Sequence, residues 1–416
     1  MVPKLRRFLL GCVALCWLTL SGIPLAGQTT PSDVPNSGTA REMPIDGIKE
    51  TVVFLEGQWE VPSKGPTAVP QVEGSIGTGF IVKVPEPRAG SNMGLRLLVT
   101  ARHMICTKLP DGSAGSYLSL PITARIDTKT ADDQGRRWAT LEMPVLDKRG
   151  DLTWFVDEDD AAADITAAPL VLNEDVADIA LIGPNLFATS EVVKREHVNE
   201  NDEVLFAGLF SGYVGEKKNY PIVRHGRIAL MTDETFVVDK TRPDNRSSLY
   251  LLEVSSFGGN SGSPVFLRLG GVRETTGTAF SGYSYYLLGV MHGYLPDVDT
   301  KQNSGIALVV PIDKLNEILQ GNRYRAYASA ESAKVLMNTG DLAKAEGLFQ
   351  ESIGILEKGA PDSSLLASTL DDYAVLLRQA HRAVEAQTKQ LQAQNIRSHR
   401  VATPNTKVPA CSGVQR

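Results

Sequence analysis

The 416-residue sequence predicts a mainly β protein that ends in a small helical repeat region. Two observations carry this. Short apolar or β-branched runs, separated by Gly, Pro and Asp/Asn turns, recur from about residue 50 to 310. After about residue 326 that pattern gives way to helical spacing with an internal repeat. Many short strands with few helices read as barrels or sandwiches.

Lys4, Arg6 and Arg7 precede an apolar run from Phe8 to about Leu20, followed by small residues up to Gly27. A basic start, an apolar middle and a small-residue end are the layout of a secretory signal, so residues 1–27 are expected to be removed on export to a periplasmic or extracellular space, with an uncleaved N-terminal anchor as the alternative. Residues 28–46, rich in Thr, Pro, Ser and Gly, read as a disordered leader. No later stretch is apolar enough to span a membrane, so no stable insertion is expected after cleavage. Cleavage removes three of 42 basic residues and leaves 39 against 48 acidic ones, a net charge of −9. That balance disfavours non-specific binding to nucleic acid. Of four cysteines only Cys106 and Cys411 remain, too few for a disulfide scaffold and without a reason in their spacing to pair.

The strand runs are Thr51–Leu55, Gly79–Val84, Leu95–Thr100, Ile179–Ile182, Glu203–Phe210, Gly226–Met231, Ser248–Val254, Pro264–Leu267, Tyr286–Met291 and Gly305–Val310. Residues 107–174 are less regular, and the acidic stretch Asp157–Asp160 reads as a solvated loop rather than a metal site. Asp313 opens a short helix closed by Gly321. Further on, Ala333, Leu336, Gly340, Ala345 and Glu346 recur 41 residues later as Ala374, Leu377, His381, Ala386 and Gln387. A fixed offset at several positions marks a repeat of helix hairpins over about 326–397. Residues 399–416 read as a disordered tail.

One stretch, Ser256–Phe266 (SFGGNSGSPVF), crowds small residues directly before an apolar strand. A serine in such a loop becomes a nucleophile only with an adjacent base, an orienting group and backbone N–H donors for the developing oxyanion. His103, at the end of the run Leu97–Ala101, is the candidate base; Asp178, opening the run DIALI, is the candidate orienting group, with Asp164 and Asp175 as competitors; Ser261 is the candidate nucleophile.

GTGFIV (77–82), VTARHM (99–104), DIALI (178–182) and GGNSGSPVF (258–266) resemble, in this order, the landmarks of chymotrypsin-like serine peptidases, with bacterial HtrA-type members closest. The resemblance spans about residues 50–320. It implies a double β-barrel, a first barrel with an insertion over 47–195 and a second over 196–322, with a Ser–His–Asp triad in the cleft and a polypeptide substrate. It further implies an oxyanion hole from the N–H groups of Gly259 and Ser261, a substrate pocket lined by Ser255, His292, Gly293 and Gly305 with an apolar preference, and no metal or organic cofactor. His292 leaves an acidic preference open. Asn260 stands where zymogen-type members carry an Asp, and no PDZ-like segment follows. The repeats resemble tetratricopeptide repeats, which implies a protein or peptide partner. A catalytically silent or partner-gated binding protein is the competing expectation.

Overall fold

The computed structural model describes residues 45–61, 71–90, 93–108, 114–237, 246–272, 279–297, 300, 302–398 and 411. The expected signal segment, nearly all of the leader, and the tail apart from Cys411 lie outside these residues.

The N-terminal half forms one antiparallel seven-stranded sheet. Its strands run Trp138–Met143, Ile122–Asp127, Val52–Val61, Gln71–Pro85, Gly94–Thr100, Thr166–Pro169 and Phe155–Val156 across the sheet. The resemblance implied a closed barrel here, and the difference has a local cause. The run Ile179–Ile182 is not a ladder strand. It touches the sheet through a single bridge, Val82 with Ile182, and just ahead of it Ala177 bridges Thr128. Strands that were not expected, Ile122–Asp127 and Trp138–Met143, come from the irregular 107–174 stretch.

The C-terminal half of the β region is a closed six-stranded barrel. Glu203–Gly208 pairs with Ile222–Leu230, then Tyr250–Glu253, Asn303–Pro311, Ala279–Pro296 and Pro264–Val272 follow, the last closing on the first.

Strand alternation sorts side chains into separate cores. Val53, Leu55, Ile81 and Leu98 point into the core of the first sheet with Trp154. Their strand neighbours Phe54, Phe80, Leu97 and Val99 point the other way, into a core shared with Leu205, Phe266, Leu287 and Val290 of the barrel. Val204, Phe206, Val265 and Leu267 fill the barrel interior. Residues 97–99 and 204–206 are thus buried on both strand faces, which explains their unbroken apolar runs. Truncating a fully buried ring such as Phe266 to Ala is worth about 3–5 kcal/mol.

Five helices end the described chain: Asp313–Gln320, Asn322–Asn338, Leu342–Gly359, Ser364–Gln379 and Ala383–Ser398. The 41-residue repeat is visible in their geometry. Gly340 and His381 both adopt left-handed backbone, at φ 89° and 59°, after the first helix of each pair. The next N–H reaches back in the same way, Asp341 to Leu336 O and Arg382 to Leu377 O. This is the helix-ending motif in which a left-handed residue follows the last turn. Ala333, Ala345, Ala374 and Ala386 are all buried at the crossings. The first pair does not stand apart from the β region: Tyr324 and Ala328 belong to the shared core, and Tyr324 packs edge-on against Phe155.

Cys106 and Cys411 form a disulfide across 305 residues of sequence, tying the tail to the core of the first sheet. Their spacing in the sequence offers no reason to pair them. Only the fold brings them together; nothing local in the sequence does.

Candidate active site

The strand Gly94–Thr100 ends in a short 3-10 turn, Arg102–Ile105, which presents His103. Its partner is Asp164, two residues before the strand Thr166–Pro169. The main-chain N–H of His103 donates to Asp164 Oδ1 at 2.8 Å, and His103 Nδ1 lies 2.7 Å from Asp164 Oδ2. Two contacts fix both the position and the ring of the histidine. Asp164 is 4% exposed. Burial alone would raise its pKa, but the charges and hydrogen bonds of His103 and His292 outweigh it and hold the carboxyl well below the ordinary range.

Asp178 is not in this arrangement. Its side chain is half exposed and lies against Arg137, 3.5 Å away. It takes no part in holding His103: its own N–H donates to Asp127 O, and the segment that follows is held through Ala180 N–H on Glu50 O and Ile182 N–H on Ile81 O. In the sequence Asp164 stands in ADIT, just ahead of the short strand Thr166–Pro169.

The acidic stretch is not a solvated loop throughout. Asp157 is 4% exposed. Its Oδ1 accepts the N–H groups of Asp159 and Asp160, and Asp160 Oδ1 accepts those of Ala162 and Ala163. Lys314 lies 2.9 Å from Asp160, 2.7 Å from Glu317 and 3.8 Å from Asp157. Arg102 adds a hydrogen bond to Ala161 O. The loop that delivers Asp164 is therefore folded on its own carboxylates and tied to the first C-terminal helix.

Ser261 lies in the loop before Pro264–Val272, 3% exposed. Its hydroxyl donates to His292 O at 3.3 Å. The loop is wedged between the two β units. Thr78 N–H donates to Ser261 O, Thr78 Oγ1 donates to Gly259 O, and the same oxygen accepts Leu209 N–H. At Gly262, φ is 83° and an added Cβ would sit about 2 Å from Thr78 O and Thr100 Oγ1, so no larger residue fits. Asn260, 1% exposed, bridges the loop as a neutral group: its Nδ2 donates to Leu209 O and its Oδ1 accepts Phe257 N–H. Sequence reasoning missed Thr78 and the cross-loop role of Asn260, since neither is visible until the strands are paired. Gly259 has φ 97°.

His292 departs from its expected place in a substrate pocket. It is 6% exposed, and its Nδ1 is hydrogen-bonded to Asp164 Oδ2, with its ring edge-on to His103 at 5.6 Å between centroids. A register irregularity between Met291 and Gly293 sets which way it points. The other pocket candidates do face open space: Ser255 is exposed, and a Cβ added at Gly293 or Gly305 would meet nothing within 4 Å. Beside Ser255, Ser256 is fully buried and its carbonyl accepts Asn303 Nδ2.

Among the described residues, His103, Asp164 and His292 are also the grouping with metal-ligand chemistry, their donor atoms lying within 4.8 Å of one another. Two imidazoles and one carboxylate suit zinc. The His103–Asp164 separations are those of hydrogen bonds. Among the same residues no helix is long and apolar enough to cross a membrane.

No family model matches the chain, and no curated protein matches it. Among solved structures, a thermostable serine protease AL20 from an extremophilic microorganism aligns at 11% identity with a TM-score of 0.33, covering 66% of this chain and 96% of that one. A likeness this remote bears on neither reaction nor residues, so function rests on the site itself.

Proposed function

We propose that the chain is an exported serine endopeptidase of the chymotrypsin-like kind, using Ser261, His103 and Asp164. The observation that carries this reading is the two-point hold of a buried Asp164 on His103, on the strand end that faces the Ser261 loop. Ser261 Oγ attacks the scissile carbonyl while His103 Nε2 takes its proton and then delivers it to the leaving amine. Asp164 keeps the proton on Nδ1 and stabilises the imidazolium. The N–H groups of Gly259 and Ser261 receive the oxyanion, at about 3–4 kcal/mol per donor. Water then attacks the acyl-enzyme by the reverse proton path. Ser255, Gly293 and Gly305 leave an uncharged cleft that favours an apolar side chain before the cut. The two helix pairs read as tetratricopeptide-like repeats docked on the peptidase. The basic, apolar N-terminal segment and the disulfide both fit an oxidising compartment.

The test is covalent labelling of the purified protein with a fluorescent fluorophosphonate. Wild type is expected to label and Ser261→Ala not to. A folded wild type that stays unlabelled overturns the reading and leaves a catalytically silent binding protein.

A further inference from the structure

The proposed triad does not use His292, yet His292 touches two of its members. Its ring Nδ1 is hydrogen-bonded to Asp164 Oδ2, and its main-chain carbonyl accepts the Ser261 hydroxyl. Full burial of a second imidazole against a carboxylate is costly unless the pair is hydrogen-bonded, and here it is.

The geometry of Asp164 shows why a further donor matters. An ionised carboxylate offers about four acceptor sites. His103 fills one on each oxygen, through its N–H on Oδ1 and its ring on Oδ2. His103 keeps its Nδ1–H on Oδ2 in both its neutral and cationic states, so a second imidazole adds a further donor to the same oxygen rather than replacing the first. The second imidazole approaches the same Oδ2, nearly perpendicular to the first at 81°. The contact runs to a carboxylate oxygen, an acceptor, so His292 presents Nδ1 as the N–H donor. His103 must likewise keep its proton on Nδ1, which leaves its Nε2 as the acceptor that Ser261 needs.

We infer that the His292 side chain is a positioning residue for the proposed reaction, fixing Asp164 through its ring N–H. This rests on the peptidase reading above. It assigns His292 to orientation of the acid, and removes it from recognition of the substrate side chain.

Three variants separate donation from packing. His292→Leu keeps bulk and loses the donor. His292→Asn places an amide N–H near the position of Nδ1. His292→Ala removes both. Each is first checked by thermal unfolding, then assayed in the full-length protein for fluorophosphonate labelling rate and for kcat and KM on a peptide substrate, with a chelator present throughout. His292→Leu and His292→Ala should lower the labelling rate and kcat by about 10–100-fold at nearly unchanged KM, and His292→Asn should recover most of that loss. Folded Leu and Ala variants with wild-type rates would overturn the assignment. So would a rise in KM alone, which is the mark of a pocket residue, or a folded Asn variant no faster than Leu. An unlabelled wild type would instead defeat the peptidase reading itself.

Discussion

Asp164 grips His103 at two points, the main-chain N–H on one carboxylate oxygen and the ring Nδ1 on the other. Because the folded protein holds this carboxyl well below its unfolded value, the ion contributes stability that is present above the unfolded pKa of about 3.9. That contribution fades as pH falls from there toward the folded value. Thermal unfolding between pH 5 and 2.5 should therefore show wild type losing stability more steeply than Asp164→Asn. Parallel curves would mean that Asp164 is not ionised in the folded state.

Cys106 and Cys411 close a loop of some three hundred residues. Constraining an unfolded chain over that length is worth about 2–5 kcal/mol. Cys411→Ser, or wild type unfolded in the presence of a reductant, should lose stability in that range by denaturant titration. No difference between oxidised and reduced protein would show that the bond adds nothing to the fold.

Gly340 and His381 occupy equivalent left-handed positions at the ends of the two repeat units. A side chain there costs on the order of 1 kcal/mol relative to glycine. His381→Gly should raise stability by about that amount, and Gly340→Ala should lower it similarly. The check is the midpoint of urea unfolding at constant slope.

The helix Asn322–Asn338 inserts Tyr324 and Ala328 into the core shared by the two β units, and Arg88 reaches from the β region to Ser329 and Glu351. A chain ending at Gly321 should consequently melt roughly 10 °C or more below the full-length protein, because it uncovers that core. A truncated chain of equal stability and higher labelling would show the helices to be a detachable inhibitor.

The legible parts of the site were those written in local sequence. His103 follows an apolar strand run, and Ser261 sits in a loop whose small residues are required by its wedged position beside Thr78 and Thr100. Asp164 is one of three acidic candidates in the sequence, and DIALI favours Asp178 over it because that segment alternates like a strand. In the fold that segment makes only isolated bridges and leaves Asp178 beside Arg137. Asp164 instead depends on the folded acidic loop and its tie to Lys314, about 150 residues further on. His292 was legible as a residue of interest, but its direction depended on a strand irregularity that periodicity does not reveal. The 41-residue offset in the sequence coincides with left-handed turns at both Gly340 and His381. The pairing of Cys106 with Cys411 had no local signal at all.

The central claim is that Asp164, and not Asp178, orients His103 for attack by Ser261. The most direct measurement is the fluorophosphonate labelling rate of Asp164→Asn and Asp178→Asn beside wild type at neutral pH. The account predicts a fall of about 10³–10⁴-fold for Asp164→Asn, from loss of the correct imidazole tautomer, and a change within about twofold for Asp178→Asn. A folded Asp164→Asn that labels at the wild-type rate, or a collapse confined to Asp178→Asn, would contradict it.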